Sequence, residues 1–555
     1  MVIKSRFTIP VPQVSIPTYV LESPTVDLPK TPLIMSASNP DKHFLSMHEY
    51  RLLSQRLASG IRRAGLQPGD RVLLFSSNSV FFPVVFMGTI MAEGIFTGAN
   101  PSYVLKDSEP RFLICAEGSL DIGVAAAKEA GLRADQVFVF DDGVATFEGR
   151  KVEKDTELGH LRHWTDLLDT PENGAAYVWP DLQTPEELDR VVALNYSSGT
   201  TGFAKGVMIT HRNYVSNACQ SLCFSKNLDG SLKRRLQIAL LPMYHAAAQS
   251  TYCISSVKSR SSIYIMPKFD FLKMLEYVQK YRIRDLNLAP PIVVAMAKHP
   301  ATKKYDLSSV ENVTCGAAPL GREIMAEFER LWPSGNVRLT NAWGMTEITC
   351  TGTLWDPAIA YHNASVGELV PNCEAKIVLD DKGKVESPQG ERGEIWLRGP
   401  NVMKGYWKKP DATKETKTED GWLKTGDIAY ADANNHIYIV DRKKELIKVK
   451  GLQVAPAELE ALLLEHPDIQ DAAVIGVTVD GGEVPRAYIS LQASGKATPE
   501  TAEIIKTWLA ERVVKYKRLE GGVRFVDAIP KNPSGKILRK ELREKAAQED
   551  TKARL

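Results

Sequence analysis

Through the first 440 residues, short β-rich apolar runs alternate with amphipathic stretches, and this constrains the fold more than any other feature. RVLLF (71–75), QIALLP (237–242), SSIYIMP (261–267) and VRLTNAW (337–343) read as strands. FDFLKMLEYVQKY (269–281) and REIMAEFERLW (322–332) carry the helical period. Strands interleaved with helices predict a layered α/β body. At 555 residues the chain is too long for one core, so two domains or more are expected. Near Gly421 the character changes to short strands around turns such as Asp432-Ala433-Asn434-Asn435. A helix then starts at Pro456, with Leu459, Leu462 and Leu463 on one face. Two strands, AAVIGVT and RAYISLQ, and a helix around EIIKTWLAERV follow. The expected fold class is therefore α/β, a large N-terminal multi-layer α/β domain (1–440) with a small C-terminal α+β domain (441–555). The boundary falls at Asp441, before the charged run Arg442-Lys443-Lys444-Glu445.

Lys plus Arg total 69 against 67 Asp plus Glu, so no basic field exists to hold nucleic acid; small-molecule partners are expected. The seven cysteines form no C-x-x-C pair, which argues against a zinc site or a disulfide framework. Cys219 and Cys223 are at helical spacing and read as packing. The stretch Val72 to Ala92 is uncharged, but Ser76-Ser77-Asn78-Ser79 and Pro83 break it. It reads as a buried strand, a polar turn and a buried helix, not as a transmembrane segment. The opening MVIKSRFTIPVPQ lacks the apolar run of a secretory signal. Ala553-Arg554-Leu555 resembles a Ser-Lys-Leu type address, which implies a peroxisomal import receptor as partner; the alternative is a cytoplasmic protein.

The segment from Asn195 to Arg212, NYSSGTTGFAKGVMITHR, holds the strongest chemical signal. Ser197, Ser198, Thr200 and Thr201 supply hydroxyls. Gly199, Gly202 and Gly206 permit tight turns, and Lys205 adds a positive point charge. Such donors suit triphosphate oxygens, although the Walker A spacing is absent. The bland alternative is a flexible Ser/Gly loop.

That segment resembles the phosphate-binding loop of the adenylate-forming superfamily of acyl-CoA synthetases, beetle luciferases and peptide-synthetase adenylation domains. Further similar motifs follow in the family's order: LPMYHAAAQS (241–250), CGAAPLGRE (315–323), NAWGMTE (341–347), GWLKTGD (421–427), DRKKELIKVKGLQVAPAELE (441–460) and PKNPSGKILRKELR (530–543). The likeness is greatest to the 4-coumarate–CoA ligase group and its fungal relatives. It implies ATP, Mg²⁺ and coenzyme A as cofactors and a small carboxylic acid as substrate. It also implies a mobile C-terminal domain.

By the same resemblance, Glu347 holds Mg²⁺ with a hydroxyl of Thr201, and Thr346 bonds the α-phosphate. Trp343, flanked by Asn341 and Ala342, offers a face to adenine. Asp427 accepts from the ribose hydroxyls, assisted by Arg442. Ala317, Lys268 and Lys444 join the nucleotide set. Lys536, in an exposed turn-forming Pro-Ser-Gly-Lys stretch, bridges carboxylate and α-phosphate. His245, read as lying at a strand end, positions the carboxylate. For the second step the small domain turns about Asp441-Arg442, bringing in Lys448, Lys450, Gly451 and Gln453. Gly451 leaves room for pantetheine and Lys450 meets a CoA phosphate.

Three departures from the family's pattern stand out. Ala204 replaces a common Pro, and Asn341-Ala342-Trp343 replaces Gln-Gly-Tyr. Ala247 replaces the Tyr that lines the phenol pocket of coumarate ligases, with Thr251, Ala317, Cys350, Thr351 and Gly352 completing the wall. The small residue predicts a deeper pocket, for a bulkier aryl acid or a medium-to-long aliphatic acid. Alternatives left open by the residues are an enzyme loading a carrier protein, a luciferase-like oxygenase and a non-catalytic nucleotide-binding protein.

Overall fold

The computed structural model describes residues 2–98, 101–141, 154–197, 204–227, 229–316, 320–357, 359, 363–479, 481–492, 495–532 and 535–552. The architecture is mixed α/β, a large N-terminal domain with a smaller C-terminal one, as expected. Among the described residues the largest sheet has nine strands, centred on Arg71–Phe75 between its parallel neighbours Ile95–Gly98 and Phe112–Ala116. RVLLF and FLICA are apolar in succession because helices cover both faces of a parallel sheet. Helix Met47–Arg63 starts at a capping box made by Ser46 and Glu49. It packs on helix Phe82–Met91, whose every residue is buried. The uncharged run from Val72 thus resolves into strand, turn and buried helix. Among the described residues, no helix is long and apolar enough to cross a membrane.

A second sheet runs Leu339–Asn341, Asn312–Cys315, Asp285–Leu288, Leu236–Ala239, Ser262–Ile265 and Pro32–Ser36, all parallel, with Phe44–Ser46 antiparallel at its edge. The carboxyl ends of the first four strands deliver Ala342, Gly316, Ala289 and Leu241 to one edge. Open α/β sheets bind ligands at that edge. The polar turn before the buried helix braces it: Asn78 donates to the carbonyls of Leu241 (3.1 Å) and Met266 (3.3 Å) and accepts from the Met243 N–H (2.8 Å). A buried amide satisfied on both sides holds the loop leading to His245 in one place.

An antiparallel sheet joins Ile3–Lys4, Glu374–Val378, Gly393–Arg398, Leu423–Ala431 and Ile437–Arg442. Beyond it, hairpin Ile447–Val449 and Leu452–Val454 leads to helix Pro456–Leu463, which begins on its proline. Strands Ile469–Val479 and Gly482–Leu491, helix Pro499–Ala510, strand Val523–Phe525 and helix Arg539–Lys552 complete this smaller lobe. It has its own core around Ile447, Leu459, Leu463, Val474, Ile489 and Leu509. A separate core marks an independent domain. Leu459 and Leu463 are buried and Leu462 packs against them, as the helical period predicts. Cys219 and Cys223 lie on helix His211–Cys223 and pack against the main core.

Candidate active site

A cavity of about 1600 Å³ opens at the carboxyl edge of the second sheet. Strand Val191–Ser197 pairs with Lys205–Thr210 so that Ser197 faces Lys205, and both line the cavity. Ser198, Gly199, Thr200, Thr201, Gly202 and Ala317 lie outside the described residues. Lys205 Nζ stands 4.8 Å from the centre of the Tyr406 ring. The Tyr406 hydroxyl donates to Glu347 Oε1 (3.0 Å).

Glu347 sits in the short turn Thr346–Ile348, and both Thr346 and Glu347 line the cavity. The next residue but one, Thr349, has φ +68°, a conformation strained for a β-branched side chain. The strain is held by Thr349 Oγ1 donating to the Asn401 carbonyl (2.7 Å), while Asn401 Nδ2 donates to the carbonyls of Ile348 (3.2 Å) and Thr351 (3.1 Å). These bonds hold the backbone next to Glu347, and the Tyr406 hydroxyl holds its carboxylate. Among the described residues no cluster of three or more His, Cys, Asp or Glu is placed to hold a metal.

Trp343 lines the cavity, with Gly352 behind it: a Cβ at 352 would lie 2.7 Å from the indole. Gly352 therefore seats the indole and is not itself a wall residue. The indole N–H donates to Asp427 Oδ2 (2.8 Å), and Arg442 Nε stands 2.7 Å from Asp427 Oδ1. Both oxygens of this buried carboxylate are thus engaged within the protein. Burial raises its pKa, against the pull of Arg442 and the Trp343 bond. Ala342 lines the cavity; Asn341, by strand alternation, points away and reaches Met325 Sδ (3.4 Å).

Lys536 corrects the sequence reading. Pro533 and Ser534 of its stretch lie outside the described residues, but the Lys536 side chain is half-buried and lines the cavity, because the small lobe lies against the large domain. Gly535 has φ +84° and approaches Pro291, where a Cβ would come within 3.2 Å. Burial lowers the pKa of the ammonium, Arg442 lowers it further, and Asp427 and Glu347 oppose that. Lys536 therefore sits in a field shared by two carboxylates and two guanidiniums, those of Arg442 and Arg539.

His245 also differs from expectation. The strand ends at Ala239, and His245 lies beyond it as the residue before helix Ala246–Ala248. Its Nε2 is buried without a hydrogen-bond partner among the described residues, and burial pulls its pKa down to about 4. It is a neutral imidazole on the cavity wall. Ala247 and Thr251 line the cavity on the same segment, which winds into a π-helix at Gln249–Ser255. Such wide turns concentrate at functional sites. A chain of bonds braces it: Asn195 Nδ2 to Tyr214 (2.9 Å), the Tyr214 hydroxyl to Gln249 (2.7 Å), and Gln249 to the Tyr244 carbonyl (3.2 Å). Cys350 and Thr351 supply the facing wall.

Lys444 lines the cavity rim with Arg442 and Lys443. Lys268 does not reach the cavity: it is exposed in the loop after strand Ser262–Ile265, where the chain turns outward to the Asp270 cap of helix Phe271–Lys280. Lys448, Lys450, Gly451 and Gln453 lie on the exposed hairpin, away from the cavity. Lys450 (φ +50°) and Gly451 (φ +84°) form its two-residue turn. Tyr406 and the Asp107 cluster were not singled out by sequence reasoning. Asp107 accepts from Tyr196 (2.8 Å) and pairs with Lys409 (2.6 Å), beside Ser197. Tyr196 stands inside the phosphate-loop segment, but Tyr406, in MKGYW, belongs to no recognisable spacing.

Residues 29–407 match the family described as AMP-binding enzyme, and residues 458–536 match the AMP-binding enzyme C-terminal domain. Phenylacetyl-CoA ligase epaB of Aspergillus niger is 36% identical, over 98% of this chain and 99% of its own. 4-Coumarate–CoA ligase 2 of Petroselinum crispum is 39% identical, over 90% of this chain and 89% of its own. The crystal structure of ATP-bound MatB from Rhodopseudomonas palustris matches with a TM-score of 0.79 and 25% identity, over 96% of this chain and 99% of that one. The ordered motifs, the cavity and these relatives converge: the chain belongs to the AMP-binding enzyme family, as an ATP-using acid–CoA ligase that works through an acyl-adenylate, close to the 4-coumarate–CoA ligases.

Proposed function

We propose that two placements of the C-terminal lobe, exchanged at a boundary near Asp441, run the two half-reactions on a bulky aryl or a medium-to-long aliphatic acid. In the first, acid and ATP give acyl-AMP and pyrophosphate; in the second, acyl-AMP and CoA give acyl-CoA and AMP. The observation that carries this reading is the present placement. Lys536 lines the cavity in the field of Asp427 and Glu347, while Lys448, Lys450, Gly451 and Gln453 face solvent.

In this placement the Lys536 ammonium bridges the carboxylate and the α-phosphate as charge develops between them. Ser197, Lys205 and the loop of Ser198, Gly199, Thr200 and Gly202 hold the triphosphate, and Thr346 bonds the α-phosphate. Trp343, Ala342 and Ala317 border adenine, and Asp427 with Arg442 holds the ribose. His245, neutral with a buried, unpartnered Nε2, orients the carboxylate. Mg²⁺ suits Glu347 and Thr201, an all-oxygen pair fit for a hard cation, and when bound it neutralises phosphate charge. The lobe then turns about Asp441-Arg442, withdrawing Lys536 and presenting the hairpin: Gly451 passes the pantetheine arm and Lys450 meets a CoA phosphate.

The relatives named for phenylacetyl and 4-coumaroyl thioesters support an aryl acid, and Ala247 supports one larger than coumarate. The test is an acid panel offered with ATP and CoA. AMP and thioester in equal amounts are expected, with pyrophosphate released even before CoA is added; pyrophosphate release from no acid would reject the reading. We further propose peroxisomal import through Ala553-Arg554-Leu555, which lie outside the described residues. A fluorescent fusion should lose its punctate location when these three are deleted.

A further inference from the structure

Beyond Ala247 the cavity continues between helix His211–Cys223, the π-helix and the second sheet, and its two walls differ in chemistry. One is apolar, formed by Leu222, Phe224 and Leu354. The other is polar: Gln237, Ser255, Ser256 and Asn287 line it, and Arg235 stands at its end. Gln237 Nε2 donates to Ser256 Oγ (3.1 Å), and Asn287 Nδ2 donates to Gln237 Oε1 (3.3 Å). Because Ser256 Oγ is used as an acceptor, its own proton remains to be given. Ser255 Oγ, in a residue 8% exposed, has no hydrogen-bond partner among the described residues. Buried polar atoms of this kind are normally satisfied, so two covered hydroxyls with unmet hydrogen bonds on residues bordering a cavity point to a ligand group that reaches them.

We propose that this far end recognises an uncharged hydrogen-bonding group, a hydroxyl or a carbonyl, at the distal end of the acid, whose middle is apolar. The inference rests on the acid–CoA ligase reading and names its substrate class more closely. A methyl terminus would leave the hydroxyls of Ser255 and Ser256 without an acceptor. A carboxylate is disfavoured, because the cation at hand is already engaged: Arg235 lies 3.4 Å from Asp285, which also accepts from Asn312 (3.0 Å), and donates to Ser225. A further charge there would lose its hydration without gaining a free partner.

An internal ruler sets the length. Gln237 lies on strand Leu236–Ala239 and Leu241 four residues on, just past the strand's end, at most about 13 Å at about 3.3 Å each. With bonds of about 1.5 Å run in a zigzag, that distance suits an extended chain of about ten to twelve atoms.

The experiment compares dodecanoic acid, dodecanoic acid hydroxylated at its terminal carbon, and dodecanedioic acid, by kcat/KM for thioester formation. It uses the native protein and the variants S255A/S256A and Q237L. The hydroxy acid is expected to lead the methyl-ended acid by about 10–100-fold, the discrimination a site built for a hydroxyl readily reaches. Both variants are expected to reduce that lead below about threefold, while the rise in Tm on adding ATP reports that they are folded. Thioester formed from all three acids with no lead for the hydroxy acid, or a lead for either other acid, overturns the proposal and leaves the ligase reading intact. A lead that survives in folded variants overturns it too. Pyrophosphate release from no acid overturns the ligase reading instead.

Discussion

Replacing Trp343 with phenylalanine keeps an aromatic face on the cavity and deletes one hydrogen bond. That bond is 2.8 Å long, between an indole 7% exposed and a carboxylate 3% exposed. Hydrogen bonds to charged groups are worth about 1.5–3 kcal/mol, and Asp427 Oδ2 would be left without its donor. For a large domain, at about 2 °C per kcal/mol, Tm should fall by about 3–6 °C. The loss should depend on pH. Burial already raises the pKa of Asp427 from 3.8, so the fold takes up a proton between that value and the raised one, and stability falls as pH rises across that window. Losing the indole donor raises the pKa further. The deficit should therefore be full above the raised pKa and shrink as pH falls through it. Ribose hydroxyls can replace the missing donor, so the Tm rise on adding ATP should be larger in W343F than in the native protein. Differential scanning fluorimetry across pH, with and without ATP, reads all three effects. An unchanged Tm, or a smaller response to ATP, would refute the reasoning.

Three other changes test separate parts of the account. Ala247→Tyr should shorten the acyl cavity and move the acid preference towards smaller acids by at least tenfold in kcat/KM; an unchanged chain-length profile in the acid panel rejects Ala247 as a depth determinant. His245→Gln should flatten the loss of stability on acidification. The native imidazole, held from 6.5 down to about 4, makes the unfolded chain bind a proton first as pH falls through that window, so the native protein weakens there and the variant does so less. Arg539 pairs with both oxygens of buried Glu460 (2.8 and 2.7 Å), so Arg539→Leu should destabilise the small lobe by about 3–5 kcal/mol in urea unfolding, and adding Glu460→Leu should restore much of it.

The layered body was legible because its strands are apolar on both faces and its helices show the 3.6-residue period; RVLLF and the leucines after Pro456 needed no tertiary information. The nucleotide edge was legible from contiguous segments, since Ser197 and Lys205 sit on paired strands and Thr346 and Glu347 on one turn. What escaped was anything set by a distant surface. Pro-Ser-Gly-Lys reads as an exposed turn, and only the opposing domain, with Pro291 against Gly535, turns Lys536 inward. Asp427 reads as an open acceptor because the Trp343 indole that fills it lies 84 residues away. Lys268 carries the same charge as Lys205 but follows a strand whose exit turns to solvent. Gln237 and Ser255 belong to no motif, and only the shared cavity puts them on one wall.

The exchange of lobes is tested most directly by measuring each half-reaction alone in two variants: acyl-AMP formation from ATP and acid, and thioester formation from supplied acyl-AMP and CoA. Lys536→Ala should slow the first by about 100-fold or more and spare the second, whereas Gly451→Leu, on the hairpin now facing solvent, should do the reverse. Equal losses of both steps in either variant would contradict it.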